Sequence, residues 1–370
     1  MFEKEKLTPA QTVVREVCRV KKNERVLIVT NPSMAAIAQS LYTALLEEGA
    51  VPVLIYQSVK TLLDTASPEV IAALKTEPDV FFSISEQKLG KDSEAIAKPY
   101  VSESGEKFDH IFNFLIGGKK TMRAVWTPGL TENMFERTVC IDYKLLSETC
   151  KKLCKRYEGV KTVRVTSPGG TNVEVPVWGR KPMSDNGDFS EPGSGGNIPA
   201  GEVFISPVVG SGNEGTQGKI VFDGSMSFSD GTSLLKTPIA IEVENGFITS
   251  VTGGDEAKRL LKSITDAEKT AVQMEKDGKL PEGQGAVYKR NARNIGELGI
   301  GLNPAASIGG NMLEDEKAFR TCHFAVGMNY DGDAQCLIHL DGVVRDPTIT
   351  FVYEDNSEFV VLKNGDLQGL

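Results

Sequence analysis

The chain is short of most residues that announce a function. It holds three histidines, six cysteines and two tryptophans in 370 residues. It lacks any run of about 18 apolar residues, so no membrane span and no membrane partner are expected. The opening MFEKEKLTPAQ is charged and has no apolar centre. Neither a secretory signal nor a transit peptide is therefore expected, and the expected location is cytoplasmic. A basic surplus is missing too: 41 Lys and Arg stand against 50 Asp and Glu, a net charge of -9. Nucleic acid is not expected as a main partner, because phosphate binding wants clustered cations. TNPSM, after the first apolar run, lacks the GxGxxG fingerprint, so dinucleotide binding there is unsupported. Cys18, Cys140, Cys150, Cys154, Cys322 and Cys336 are expected to be reduced thiols. Cys150 and Cys154 lie four apart with no second pair to complete a zinc site, so packing is their expected role.

What is present reads as two domains, the prior for a chain this long. RVLIVT (Arg25–Thr30), a helical stretch Met34–Glu48 and VPVLIYQ (Val51–Gln57) form a strand–helix–strand unit. Pro68–Lys75 continues the pattern as a helix and Asp79–Ser85 as a strand. His110–Ile116 and Val139–Asp142 read as strands, and Leu145–Tyr157 as a helix. Residues 1–158 are thus expected to form an open, Rossmann-like α/β domain with a mostly parallel sheet. His110 is expected to be a hydrogen-bonded strand-end residue. From Val160 the pattern changes to short alternating strands with Gly turns, beginning with the hairpin VKTVRVTSPGGTNVEVPV. One helix, Asp255–Glu275, places Leu260, Leu261, Ile264, Ala267 and Ala271 on one face. Residues 159–370 are expected to form a β-rich α+β catalytic domain, with a partly closed barrel as one form it could take.

The chemistry concentrates between Gly296 and Asp341. In CLIHLD, His339 and Asp341 are two apart, so on a strand they share a face. An imidazole and a carboxylate so placed suit a divalent metal, or a simple His–Asp hydrogen bond. His323 shares its strand face with Ala325 and Gly327, which leave room beside it. Glu202, Glu297 and Glu316 sit in apolar or Gly-rich settings where an acid needs a partner. With Asp341 they give four carboxylates and two imidazoles, too many for one zinc ion and suited to two bridged divalent ions.

At this point the chain resembles the aminopeptidase T family of metallopeptidases, the AmpS/PepS-like aminopeptidases. The matching stretches are WTPGLTENMF (Trp126–Phe135), GGNIPAGEVF (Gly195–Phe204), GKIVFDGS (Gly218–Ser225), ELGIGLNP (Glu297–Pro304), GNMLEDEKAFRTCHFAVG (Gly310–Gly327) and HLDGVV (His339–Val344). The resemblance implies a two-metal aminopeptidase acting on peptides, using zinc, cobalt or manganese, and a homodimer. It implies Glu202, Glu297, Glu316, His323, His339 and Asp341 as ligands. Glu202 or Glu297 would bridge the ions or take the proton, and Tyr330 matches the family's active-site tyrosine. Two departures lie beside the expected centre: Arg320 stands where the family usually has glycine, and the run from His323 to His339 is short.

Two rival readings remain open. His323, His339 and Asp341 alone would make a mononuclear iron triad, and a ring-cleaving dihydroxypyridine dioxygenase resembles the same scaffold. A non-catalytic dimeric binding protein is the third reading.

Overall fold

The computed structural model describes residues 6–61, 63–212 and 214–369. The start of the charged amino-terminal stretch, residues 1–5, lies outside them. Among the described residues no helix is long and apolar enough to cross a membrane. The chain divides into two compact units, residues 1–147 with 185–200, and residues 148–184 with 201–370. The expected division at 158/159 differs in two places. The change-over falls inside the helix Tyr143–Arg156, and residues 185–200 return to the first unit.

The first unit is an α/β layer. Arg25–Thr30 is buried from Val26 onward, as a strand covered on both faces should be. It pairs in parallel with Val51–Tyr56 on one side and Val80–Ile84 on the other. Val80–Ile84 pairs in turn with Arg123–Trp126, a strand the sequence pattern did not reveal. Helix Ala35–Glu47 buries Ile37, Ala38, Leu41, Ala44 and Leu45, a stripe at helical spacing.

Two expected strands are absent. His110–Ile116 forms a helical turn, Ile111–Asn113, continued by the π-helical turn Phe114–Gly118. A short apolar run fits strand and buried helix equally, and local caps decide here. The His110 Nδ1 accepts from the Phe112 N–H, and Asp92 accepts from the Ile111 N–H. His110 is therefore a helix cap and not a strand end. Val139–Asp142 is a bend, because Asp142 accepts from the Leu145 N–H and starts the next helix.

The second unit is β-rich. One antiparallel sheet runs Phe247–Thr252, Ile239–Glu244, Gln217–Phe222, Asn172–Pro176, Val160–Thr166, Thr348–Tyr353, Glu358–Lys363, Asp366–Leu367. Helix Asp255–Lys276 buries Ala257, Leu260, Ile264, Ala267 and Ala271. Leu261 falls one position off that stripe and is 38% exposed. The helix Gln284–Asn291 follows it and was not foreseen.

The other sheet carries the polar residues. Six of its seven strands lie in the order Gly231–Leu234, Ser225–Phe228, His339–Arg345, Thr321–Gly327, Ile295–Gly301, Glu202–Ile205. Register fixes who meets whom. Ala325 pairs with Glu297 on one side and Asp341 on the other. His323 pairs with Gly299, Gly327 with His339, and Glu202 with Gly301. Small residues thus stand opposite large polar ones. Gly299 has no room for a side chain: a Cβ there would lie 2.1 Å from the His323 ring. Gly299→Ala is expected to push the imidazole aside or part the strands, at a cost of about 1–3 kcal/mol. The measurement is the midpoint of urea or thermal unfolding, and an unchanged midpoint would contradict this register.

Candidate metal centre

Strand periodicity assembles the cluster. Residues two apart on one strand share a face, and neighbouring strands bring rows of such faces together. Glu297, His323, His339 and Asp341 therefore converge from three adjacent strands, and Glu202 joins them from a fourth. Between Glu297 and Asp341 the row holds only the methyl group of Ala325, so space remains above it.

His323 Nε2 lies 3.0 Å from Glu297 Oε1 and 3.4 Å from Glu202 Oε2. His339 Nε2 lies 3.4 Å from Glu297 Oε2 and 3.3 Å from Asp341 Oδ1. The other ring nitrogen of His339, Nδ1, is 2.8 Å from the Met328 carbonyl. As donor to that carbonyl it would leave Nε2 facing the carboxylates, the arrangement that orients metal-binding imidazoles. Glu202, Glu297 and His323 are all buried, and Asp341 nearly so.

Charge explains the protonation. Burial alone would hold the Glu297 carboxyl neutral, but hydrogen bonds and charge from His323 and His339 bring it down to about 2. Burial likewise opposes charge on His323, yet Glu297, Glu202 and Asp341 raise it to about 9. His339 is raised well above its ordinary value against burial, chiefly by Asp341 and Glu297. Burial pushes Glu316 up to about 8, with Lys317 opposing and Glu202 and Asp341 adding to the rise.

The residues fit a cation. Glu202 Oε2, Glu297 Oε2 and Asp341 Oδ1 are buried and make no hydrogen bond, only the longer imidazole contacts above. Two groups could each hold an ion: Glu202 with Glu297 and His323, and Glu297 with His339 and Asp341. Glu297 belongs to both. Among the described residues no such group joins both imidazoles to Asp341.

The remaining candidates fall into place around this core. Glu316 bonds to the neighbouring Lys317 at 2.6 Å and belongs to neither ion-holding group. Glu314 accepts from the Ser307 N–H and hydroxyl, and Asp315 from the Gly309 and Gly310 N–H groups. Those two acids organise a loop. Tyr330 sits in the connection between two neighbouring strands, so the short run from His323 to His339 is a hairpin. Its ring lies 5.1 Å from His339 and 5.4 Å from Phe204, and the residue is 55% exposed. Arg180 ties down the turn that follows the tyrosine, pairing with Asp331 and Asp333. Arg320 points elsewhere: it pairs with Asp346 and Asp366 and donates to the Asn364 carbonyl. Its φ of 69° is the left-handed conformation that favours glycine. Cys150 is buried and Cys154 half-buried, and neither is in a disulfide.

Lys317 is the residue that sequence reasoning missed. Its side chain is 0% exposed, and its ammonium lies 2.6 Å from both Glu202 and Glu316. The signal was a lysine between a buried-looking acid and the apolar Ala318-Phe319, where a solvated charge is out of place.

Comparison with known proteins follows the same lines. A curated relative, the 2,5-dihydroxypyridine 5,6-dioxygenase of Pseudomonas putida KT2440, is 26% identical over 139 residues, 37% of this chain and 39% of that protein. The chain therefore matches well under half of that relative's length. The solved structure of 2,5-dihydroxypyridine dioxygenase from Pseudomonas putida KT2440 superposes with a TM-score of 0.68 at 16% identity, covering 98% of this chain and 97% of that one. Wild-type AmpT from Thermus thermophilus superposes with a TM-score of 0.63 at 15% identity, covering 98% of each chain. At those identities the shared feature is the fold, and the resemblance to aminopeptidase T holds at that level. A family model matches residues 130–367, more than half of the sequence, and by that match the chain belongs to the family described as NicX: 2,5-dihydroxypyridine 5,6-dioxygenase.

Proposed function

We propose that this chain is a metal-dependent aminopeptidase whose centre takes two divalent ions, zinc, cobalt or manganese. The observation that carries the reading is Glu297, whose two oxygens face different imidazoles and which belongs to both ion-holding groups. A shared carboxylate between two ligand sets is the mark of a bridged pair of ions. Bound there, the ions would supply Lewis acidity towards a peptide carbonyl and make a water acidic enough to act near neutral pH. The chain's own groups do the rest. Glu297 faces both imidazoles, so it would be fixed in place as a member of both ligand sets. Glu202 offers Oε2. The Tyr330 phenol keeps its proton near neutral pH, and with its ring 5.1 Å from that of His339 it would donate a hydrogen bond to a developing oxyanion. Peptides with a free amino end as substrates, and a homodimer as the working form, complete the proposal.

A second reading is a mononuclear iron centre that cleaves a dihydroxypyridine ring. The family match favours it. Glu297, His339 and Asp341 would then form the triad, with one imidazole in place of the two that were expected.

Three outcomes are expected. Protein purified and loaded with cobalt or zinc holds two ions per chain and releases fluorophore from aminoacyl substrates; one iron per chain, with dioxygen consumed on a dihydroxypyridine, would replace this reading by the second. Tyr330→Phe lowers kcat by about 100-fold with little change in KM, the scale of removing one oxyanion donor; equal losses in binding and turnover would remove the tyrosine from that role. Ion loading at pH 7 expels at least two protons, because His323, at about 9, and His339 are both protonated beforehand and must become neutral to bind. Affinity accordingly rises as pH climbs towards 9. Calorimetry in buffers of different ionisation enthalpy reads this directly, and loading without proton release would contradict the assigned ligands.

A further inference from the structure

Lys317 is buried completely, and nothing in the reaction proposed above uses it. Its ammonium lies 2.6 Å from Glu202 Oε1 and 2.6 Å from Glu316 Oε1. The two oxygens of Glu202 are thereby put to different uses. Oε1 is taken by the lysine, while Oε2 makes no hydrogen bond and faces His323 Nε2 at 3.4 Å. Backbone geometry holds the lysine in place: its N–H donates to the Glu314 carbonyl, and its own carbonyl accepts from the Asn303 N–H.

We infer that Lys317 is a positioning residue of the metal centre: by occupying Glu202 Oε1 it makes Glu202 a one-oxygen ligand, and it holds Glu316 beside the ion-binding groups without binding an ion itself. The inference rests on the two-ion reading and adds the device that sets how Glu202 binds. Two consequences follow from the charge and the geometry. The buried ammonium offsets one of four clustered carboxylates, which eases their approach to one another. And the coordination number at the Glu202 side is kept low, leaving a position open for substrate or water.

The test uses cobalt-substituted full-length protein. In Lys317→Met, Glu202 is free to chelate with both oxygens. A higher coordination number weakens cobalt's visible absorption, so the band should fall in intensity while two ions per chain are retained. kcat should drop at least about tenfold, the scale of losing an outer partner of a ligand. Lys317→Arg, which restores a cation with donors for both carboxylates, should recover part of the band. If Lys317→Met does not fold, as judged by circular dichroism, Lys317→Gln gives the same comparison with a neutral donor. A folded variant with two ions and an unchanged spectrum would overturn the role of Lys317 and leave the two-ion reading intact. A single cobalt per wild-type chain would overturn the two-ion reading, and the lysine's role would then stand or fall by whether that ion's band moves in the variant.

Discussion

The sheet that carries the centre must hold carboxylates where water does not reach. Glu202 and Glu297 are buried, and Glu316 and Asp341 lie beside them. Removing one carboxylate from water costs several kcal/mol even after relaxation, and like charges nearby add to that. Cations must therefore be built in or bound. Glu297 meets the demand first, gripped from two sides by imidazoles that gain protons to match it. Lys317 meets it next, between Glu202 and Glu316.

An antiparallel sheet suits this task for a geometric reason. Its side chains alternate faces, so a donor every second residue builds a cluster on one side and leaves the other for the core. Phe324, Val326, Leu340 and Val344 occupy that second set of positions and are all buried. The cluster therefore sits on a face whose backing is apolar and tightly packed. Room on the cluster's own face comes from Gly299, Ala325 and Gly327, placed opposite His323, Glu297 and His339. The same layout tolerates different chemistry, since changing one or two donors changes the ion without disturbing the hydrogen-bond ladder. That is consistent with one fold carrying both a dioxygenase and AmpT among its structural relatives.

Much of this was legible in the sequence where local rules apply. The spacing of His339 and Asp341 implied a shared face, and buried runs such as Arg25–Thr30 read directly as strands. The need of Glu202 and Glu297 for partners was visible from their apolar settings, although who the partners were depended on register, which is non-local. The misreadings have local causes of another kind. His110–Ile116 fits a strand by pattern and was decided by caps from His110 and from Asp92, eighteen residues upstream of His110. Lys317 was only weakly legible: LEDEK resembles a solvated charge run, the apolar Ala318-Phe319 after it was the one contrary sign, and tertiary packing turns it inward. Arg320 misled in the opposite direction: adjacent to the centre in sequence, it leaves the sheet through a left-handed turn and spends its charge on Asp346 and Asp366.

Charge balance bears on the choice between the two functional readings. With neutral imidazoles, Glu202, Glu297, Glu316 and Asp341 carry four negative charges, and Lys317 offsets one. A single divalent ion held by Glu297, His339 and Asp341 leaves one negative charge, which a proton on His323, raised to about 9, or on Glu316, raised to about 8, offsets. Two divalent ions would reverse the sign and leave one positive charge, which a hydroxide would neutralise. A one-ion centre therefore has a use for only part of this donor set and must suppress the rest by protonation. A two-ion centre uses the carboxylates in their charged form and gains a nucleophile in closing the balance. The ring-cleaving reading draws its strength from family membership, and the hydrolytic one from this surplus of acids around Glu297. A proton kept on His323 or on Glu316 in the loaded protein is where the two diverge most sharply, because only the one-ion centre retains one to close its balance.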